Sequence, residues 1–288
     1  MVNTNMAKIG SAVWVEGLLR DYWATSPQNA LANGTGEKAW DEPLIGFARA
    51  SHPLFAQLAT DLAPFYWTPE QAYAMAFPDA PVNAEELCII SWVLPQTAAT
   101  RADQREVTEV PAERWARSRD FGERFNCALR LHMAATLTSA GYPAVAPERL
   151  AEFAMQRSEQ FGIASNWSER HTAHIAGLGT FGLSDGLITQ RGKAVRFGSV
   201  VARIDLAATP HAYDNRQAWC LWHAKGTCKV CARRCPVDAI TEAGHDKDKC
   251  FDYIRQVTAP YAQQTFGTEA TPCGLCQVRI PCEERIPL

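Results

Sequence analysis

The stretch CLWHAKGTCKVCARRCP, residues 220–236, places Cys220, Cys228, Cys231 and Cys235 on a tight spacing and follows the last of them with Pro236. A second group, Cys250 and then Cys273, Cys276 and Cys282 within CGLCQVRIPC, completes a set of eight thiols. Only Cys88 and Cys127 lie earlier, so cysteine density changes sharply near Trp219. In a reducing compartment such a concentration of thiols points to metal ligation or redox chemistry in preference to a disulfide framework.

Two residues between cysteines make a tight loop that aims successive thiolates at one cubane, whereas a cysteine followed by proline opens a helix leading away. In bacterial two-cluster ferredoxins that last cysteine serves the other cluster. By this logic Cys220, Cys228, Cys231 and Cys282 hold one 4Fe-4S cluster, and Cys235, Cys250, Cys273 and Cys276 hold a second. Two zinc sites are the alternative, since paired C-x2-C knuckles suit that ion too. The Cys-Pro start of a helix and the outlying Cys220 and Cys282 fit the crossed iron-sulfur arrangement better. Cys88, in a strand, and Cys127, on a helix, read as small buried hydrophobes.

Upstream, a chain of 288 residues with 47% hydrophobic content can bury a full core. An apolar pattern around Ile9, Val13, Trp14, Leu18 and Leu19 predicts a helix that breaks at Asn33 to Gly36. Continuous apolar runs at Pro43 to Ala50 and Glu86 to Pro95 predict strands covered on both faces. Phe121, Phe125, Leu129, Met133 and Leu137, at four-residue steps, predict a helix between Pro111 and Ala140, with Gly141 and Pro143 as stops. Further helices are expected from Pro147 toward Phe161 and from Ser168 to Ala176, and strands at Leu187 to Thr189 and Phe197 to Leu206. Alternating helices and strands imply an α/β (α+β) N-terminal domain over residues 1–210, which would bind cofactor and substrate. A C-terminal double 4Fe-4S ferredoxin-like domain is expected over residues 211–288.

A net charge of −3, with both signs interspersed, leaves no broad positive field for a nucleic-acid backbone. The opening MVNTNMAKIG has neither the basic nor the apolar part of a secretory signal, and no apolar run approaches a membrane span, so a cytoplasmic protein without membrane contact is expected.

SERHTAHIAGLGTFGLSDGLIT, then GSVVARIDL, then the cysteine groups resemble the cobalamin-dependent iron-sulfur family of epoxyqueuosine reductase and the reductive dehalogenases. The matching features are Glu169-Arg170, Ala176-Gly177-Leu178-Gly179, Phe181 and the strand Leu187 to Thr189, within a likeness running from about Trp115 to Pro287. The resemblance implies a corrin ring held between an α/β domain and the cluster module, with electrons passing from the clusters to cobalt. It implies that Gly177, Gly179 and Gly182 let backbone approach the corrin or an adjoining element, and that Gly198 and Ser199 meet a corrin side chain. A helix end followed by a tight turn would use the same glycines. RSRDFGERF resembles the family's Arg-Asp-Tyr-His segment, which puts the proton-donating aspartate on Asp120, although Phe121 and Gly122 replace the tyrosine and histidine. The alternative for Asp120 is a helix charge paired with Arg117 or Arg124.

The departures bear on the substrate. The helical-repeat extension that helps epoxyqueuosine reductases bind tRNA is missing after Cys282, and so is the export signal of respiratory dehalogenases. A small-molecule substrate and an external low-potential donor such as a ferredoxin or flavodoxin are therefore expected. Tyr142, Tyr213, Tyr253 and Tyr261 are all open as the dehalogenase tyrosine. His171, His174, His211, His223 and His245 read as surface or core histidines with satisfied hydrogen bonds, with His223 placed to tune a cluster. Trp67, Trp92, Trp115 and Trp167 read as core. A two-cluster electron carrier without its own catalysis is the rival function, yet a carrier needs only the small module.

Overall fold

The computed structural model describes residues 7–159 and 162–288. Ser11 caps α1 (Ala12–Thr25) by accepting from the Trp14 N–H. Val15 and Leu19 turn inward, while Ile9 and Val13, expected on the same stripe, are exposed. After β1 (Leu44–Arg49) come α2 (Pro53–Asp61) and α3 (Pro69–Ala76), each opening on a proline, whose missing N–H costs nothing in a first turn. Then follow β2 (Cys88–Pro95), α4 (Ala98–Glu106) and α5 (Glu113–Ser139). The α5 stripe Phe125, Leu129, Met133 and Leu137 is buried as expected. Phe121 departs from it and lies between Arg117 and Arg124, whose guanidinium carbons are 5.9 and 5.0 Å from its ring centre.

Beyond β3 (Ala144–Val145), the expected helix from Pro147 does not form. A single 3-10 turn at Pro147–Arg149 leads instead to the hairpin of β4 (Met155–Ser158) and β5 (Gly162–Ser165); Phe161 lies outside the described residues. Leu150 and Phe153 pack on the core, but Asn166 closes the loop behind them, donating to the Glu152 carbonyl and accepting from the Ala154 N–H. Such local side-chain bonds compete with helix. α6 (Glu169–Ile175) and the hairpin of β6 (Gly179–Phe181) and β7 (Leu187–Thr189) follow. β8 (Val195–Ala202) starts two residues before Phe197 and stops short of Leu206.

The sheet runs β1–β2–β8–β3 and is antiparallel at every junction, with Leu44 opposite Val93 and Ser91 opposite Ser199. All eight residues of β2 are buried, which accounts for the unbroken apolar run CIISWVLP. Ile89 and Val93 face a core shared with α2, α3 and α6; Cys88, Ile90, Trp92 and Leu94 face another shared with α1 and α5. Cys88 is thus a core residue.

The cysteine-rich part consists of α7 (Leu221–Lys225), α8 (Val230–Arg233), the two-residue strands β9 (Ile240–Thr241) and β10 (Gly244–His245), α9 (Lys247–Tyr253) and α10 (Ala259–Phe266). It is bonded back onto the layer. The Arg105 Nε donates to both Glu283 oxygens at 2.9 and 3.0 Å, Gln104 to the Cys273 carbonyl at 2.8 Å, and Tyr253 to the Glu109 carbonyl at 2.7 Å. Lys193 N–H reaches the Cys282 carbonyl at 2.8 Å, and Ala194 N–H the Glu283 carbonyl at 3.1 Å. No described helix is long and apolar enough to cross a membrane.

Candidate functional site

The spacing assigns the eight thiols to two sets, Cys220, Cys228, Cys231 and Cys282 as the first and Cys235, Cys250, Cys273 and Cys276 as the second. Burial pushes the Cys282 thiol up to about 11, and Cys231, Cys220 and Cys228 push the same way. Burial raises Cys250 and Cys273 to about 12 each, Cys276 and Cys235 adding to both. Cys220, Cys228, Cys231 and Cys282 also line one small pocket together with Gly182 and Lys193. Cys231 feels Cys276, so the sets adjoin.

Lys193 is buried, and its Nζ donates to the Ser184 hydroxyl at 2.7 Å. Burial alone would depress its pKa; Cys282, Cys231, Cys276 and Cys220 hold it above the ordinary lysine value. Among the described residues no three His, Cys, Asp or Glu side chains converge on a point that a single metal ion would fill. Thiols are the donor type that iron-sulfur clusters take.

Beside the second set, α6 and the loop before Trp219 enclose a cavity of about 390 Å³. Leu54, Leu58, Ile175 and Phe181 form its apolar wall, and Arg170, Arg216, Lys247 and Asp185 are among its charged groups. Arg170 donates to the Asp185 carbonyl at 2.6 Å and interacts with Cys276 and Cys250, which ties this wall to the second thiol set. His171, His174, His211 and Tyr213 line the same space. Burial, with Arg170 adding, holds His171 down to about 3, and burial also lowers His174, whose Nδ1 lies 2.7 Å from the Gly179 carbonyl. Both rings are neutral at neutral pH. Tyr213 stacks on His174 and His211 with ring centres 5.1 and 4.9 Å apart, and its hydroxyl donates to the His174 carbonyl. Its far edge meets Trp219, the neighbour of Cys220, at 5.2 Å.

The histidines were legible only singly, because residues 171, 174 and 211 meet through the fold. SERHTAH, with two histidines three apart on a helix, was the one signal available. Of the four tyrosines left open, only Tyr213 reaches this cavity. Tyr142 packs against Trp14, Tyr253 holds the Glu109 carbonyl and Tyr261 meets Phe266 edge-on. His223 is exposed and contacts Gln217. Trp92 and Trp167 are core residues whose indoles donate to Asn126 and Ser199.

The remaining sequence candidates lie elsewhere. Asp120 is buried on α5 and is not among the residues lining the cavity; its oxygens accept from Arg124 at 2.9 Å and from the Glu269 N–H at 2.7 Å. It joins α5 to the segment ahead of Cys273. Gly177 ends α6 with φ +77, its N–H bonded to the His174 carbonyl. A Cβ on Gly179 would stand 2.4 Å from the Ile188 carbonyl, and one on Gly198 2.5 Å from the Trp92 indole. Gly182 closes the β6–β7 turn on Gly186. Ser199 donates to Glu169 at 2.6 Å and accepts from Trp167 at 3.1 Å. Gly179, Gly198 and Ser199 are thus filled by protein neighbours, whereas a Cβ on Gly182 would make only ordinary contact, 3.4 Å from the Ile188 Cδ1. Beneath Ser199 lies a buried charge network: Arg130 bonds Glu169 at 3.1 Å, Glu123 at 3.0 Å and Glu148. Cys127 borders it, near Glu123, Arg130 and Arg149.

The fold is similar to that of solved reductive dehalogenases. The catabolic reductive dehalogenase NpRdhA matches with a TM-score of 0.52 at 14% identity, over 95% of this chain and 37% of its own. A reductive dehalogenase whose structure suggests a mechanism for B12-dependent dehalogenation matches at 0.51 and 14%, over 93% of this chain and 36% of that one. Selenomethionine-labelled epoxyqueuosine reductase matches at 0.46 and 15%, over 94% and 66%. At these identities the likeness is one of fold, and the chain spans little more than a third of the dehalogenases. No family model matches it, and no curated protein matches it in sequence.

Proposed function

We propose that the protein is an iron-sulfur reductase. In this reading its two cysteine sets hold 4Fe-4S clusters that deliver electrons, supplied by an external low-potential donor, to a small molecule in the α6 cavity. The observation that carries this reading is the pairing of two four-thiol sets with a ligand-sized cavity against one of them. Clusters held there supply single electrons at low potential. The chain's own residues do the rest: the apolar wall of Leu54, Leu58 and Phe181 receives the body of the substrate, and Arg170 and Arg216 orient its polar end. The neutral imidazole of His174 and the phenol of Tyr213 supply further hydrogen-bonding surface. The fold likeness to reductases supports an oxidoreductase.

Cobalamin is the further group that the resemblance implies, and when bound it would supply a two-electron metal reductant. Gly179, Gly198 and Ser199 among the residues assigned to it are taken up by Ile188, Trp92, Glu169 and Trp167, so these three do not fit as its cradle, and no step is derived through it.

Anaerobic purification with analysis for iron, cobalt and zinc, together with the absorption spectrum, tests the proposal. About eight irons per chain are expected for two cubanes, and Cys276→Ala should lose about half of them. Zinc in place of iron, or undiminished iron in the variant, would overturn the ligand assignment. Corrin bands with one cobalt would establish the second cofactor.

A further inference from the structure

The cavity borders both thiol sets, through Lys247 on the helix that carries Cys250 and through Tyr213 against Trp219 beside Cys220, so the place of electron entry is read from the surface over the half-buried Cys228 and Cys231. The segment that covers it has an unusual charge. The chain carries 28 Lys and Arg against 31 Asp and Glu, yet residues 215–237 hold five cations, Arg216, Lys225, Lys229, Arg233 and Arg234, and no acid.

The structure divides these cations by task. Arg234 turns inward and donates to the Leu275 and Val107 carbonyls; Arg216 lies over the Phe181 ring. Lys229 pairs with Glu242 and sits 4.9 Å from the Trp222 ring centre. Lys225, at the end of α7, and Arg233, at the end of α8, are exposed, with no ion pair among the described residues. Arg279, which interacts with Arg234, and Arg285 add exposed cations beside Cys282. Of the nearby acids, Glu283 is buried against Arg105, Glu284 pairs with Arg101 and Arg105, and Glu242 pairs with Lys229, while Asp214 and Asp238 flank the run as exposed acids, two against its five cations. Half-buried Cys228 and Cys231 lie directly beneath this cationic skin.

We propose that α7, the turn to Cys228 and α8 form the docking face for an acidic one-electron carrier protein. This inference rests on the reading of the cysteines as cluster ligands. Opposite charge would steer the carrier and set its orientation, while the close, half-buried thiols shorten the distance the electron must cross.

The test is titration of oxidised flavodoxin, an acidic carrier, into anaerobically purified protein whose iron has been measured. Wild type should bind at about 20 mM salt and weaken at about 200 mM, where exposed charges are screened. Lys225→Glu with Arg233→Glu should weaken low-salt binding about tenfold with iron retained, and the milder Lys225→Gln with Arg233→Gln about threefold. Lys8→Glu, an exposed cation at the other end of the chain, should change it less than about twofold. Binding by the double reversal equal to wild type, or wild-type binding indifferent to salt, would overturn the docking face while leaving the cluster assignment standing. Wild type without iron would remove both.

Discussion

Gly192 is where the cysteine-rich part is seated on the β-layer, and replacing it by alanine should loosen that seat. Its φ is +75, a conformation that costs an L-residue about 1–2 kcal/mol. A Cβ there would stand 2.2 Å from the Glu283 carbonyl oxygen and 2.3 Å from the Glu284 nitrogen, backbone atoms that cannot rotate away. To clear it the segment must retreat by about 1 Å, which stretches the bonds from Lys193 to Cys282 and from Ala194 to Glu283. Each is worth about 0.5–1.5 kcal/mol. Together these terms come to about 3–4 kcal/mol, a fall in Tm of roughly 10 °C at 2–4 °C per kcal/mol. Gly34→Ala is the control, with φ +78 but nothing within 4 Å, so it bears the backbone term alone. Thermal melts of the two variants, with iron measured on each, isolate the contact. If Gly192→Ala melts with Gly34→Ala and keeps wild-type iron, the C-terminal segment is not seated as described.

Asp120→Asn distinguishes two roles. A joint between α5 and the Glu269 segment predicts a lower Tm, by about 1–3 kcal/mol of lost charge-assisted hydrogen bonding. The proton donor implied by the resemblance predicts lost turnover with an unshifted melt. Glu169→Gln tests the buried charge network. Burial pushes Glu169 from an ordinary 4.5 up to about 7, with Arg130 opposing and Glu148 assisting. The folded state therefore holds a proton that the unfolded chain has released, and stability falls as pH rises between those values. Denaturant titrations across about pH 5 to 7 should give a flatter profile in the variant than in wild type; identical slopes would refute the assignment.

The parts of the fold that were legible are those where pattern and packing coincide. CIISWVLP is apolar throughout because both faces of β2 are covered, and the α5 stripe repeats because one face meets one core. The hairpin after Pro147 was not legible: Leu150 and Phe153 keep a helical spacing while Asn166 supplies the bonds that hold a loop. A proposed division of the eight thiols into two candidate cluster sets was readable from spacing. The cavity was not, because its histidines and tyrosine come from separate stretches and acquire meaning only when Tyr213 stacks on both His174 and His211. Ser199 illustrates the converse, a plausible contact position whose hydroxyl is already committed within the core.

The interleaving of the two thiol sets has a consequence for durability. One set draws on Cys220 and Cys282, the other on Cys235 and Cys276, so each inorganic cluster would tie a long loop of chain, one nested within the other. Closing a loop of about 60 residues removes about 4 kcal/mol of disorder from the unfolded chain when a disulfide does it. A shared metal-sulfur knot acts on the same ensemble. Oxygen or chelators that dissolve one cluster would release the inner or outer loop as a whole, making oxidative damage a structural event as well as a loss of electrons.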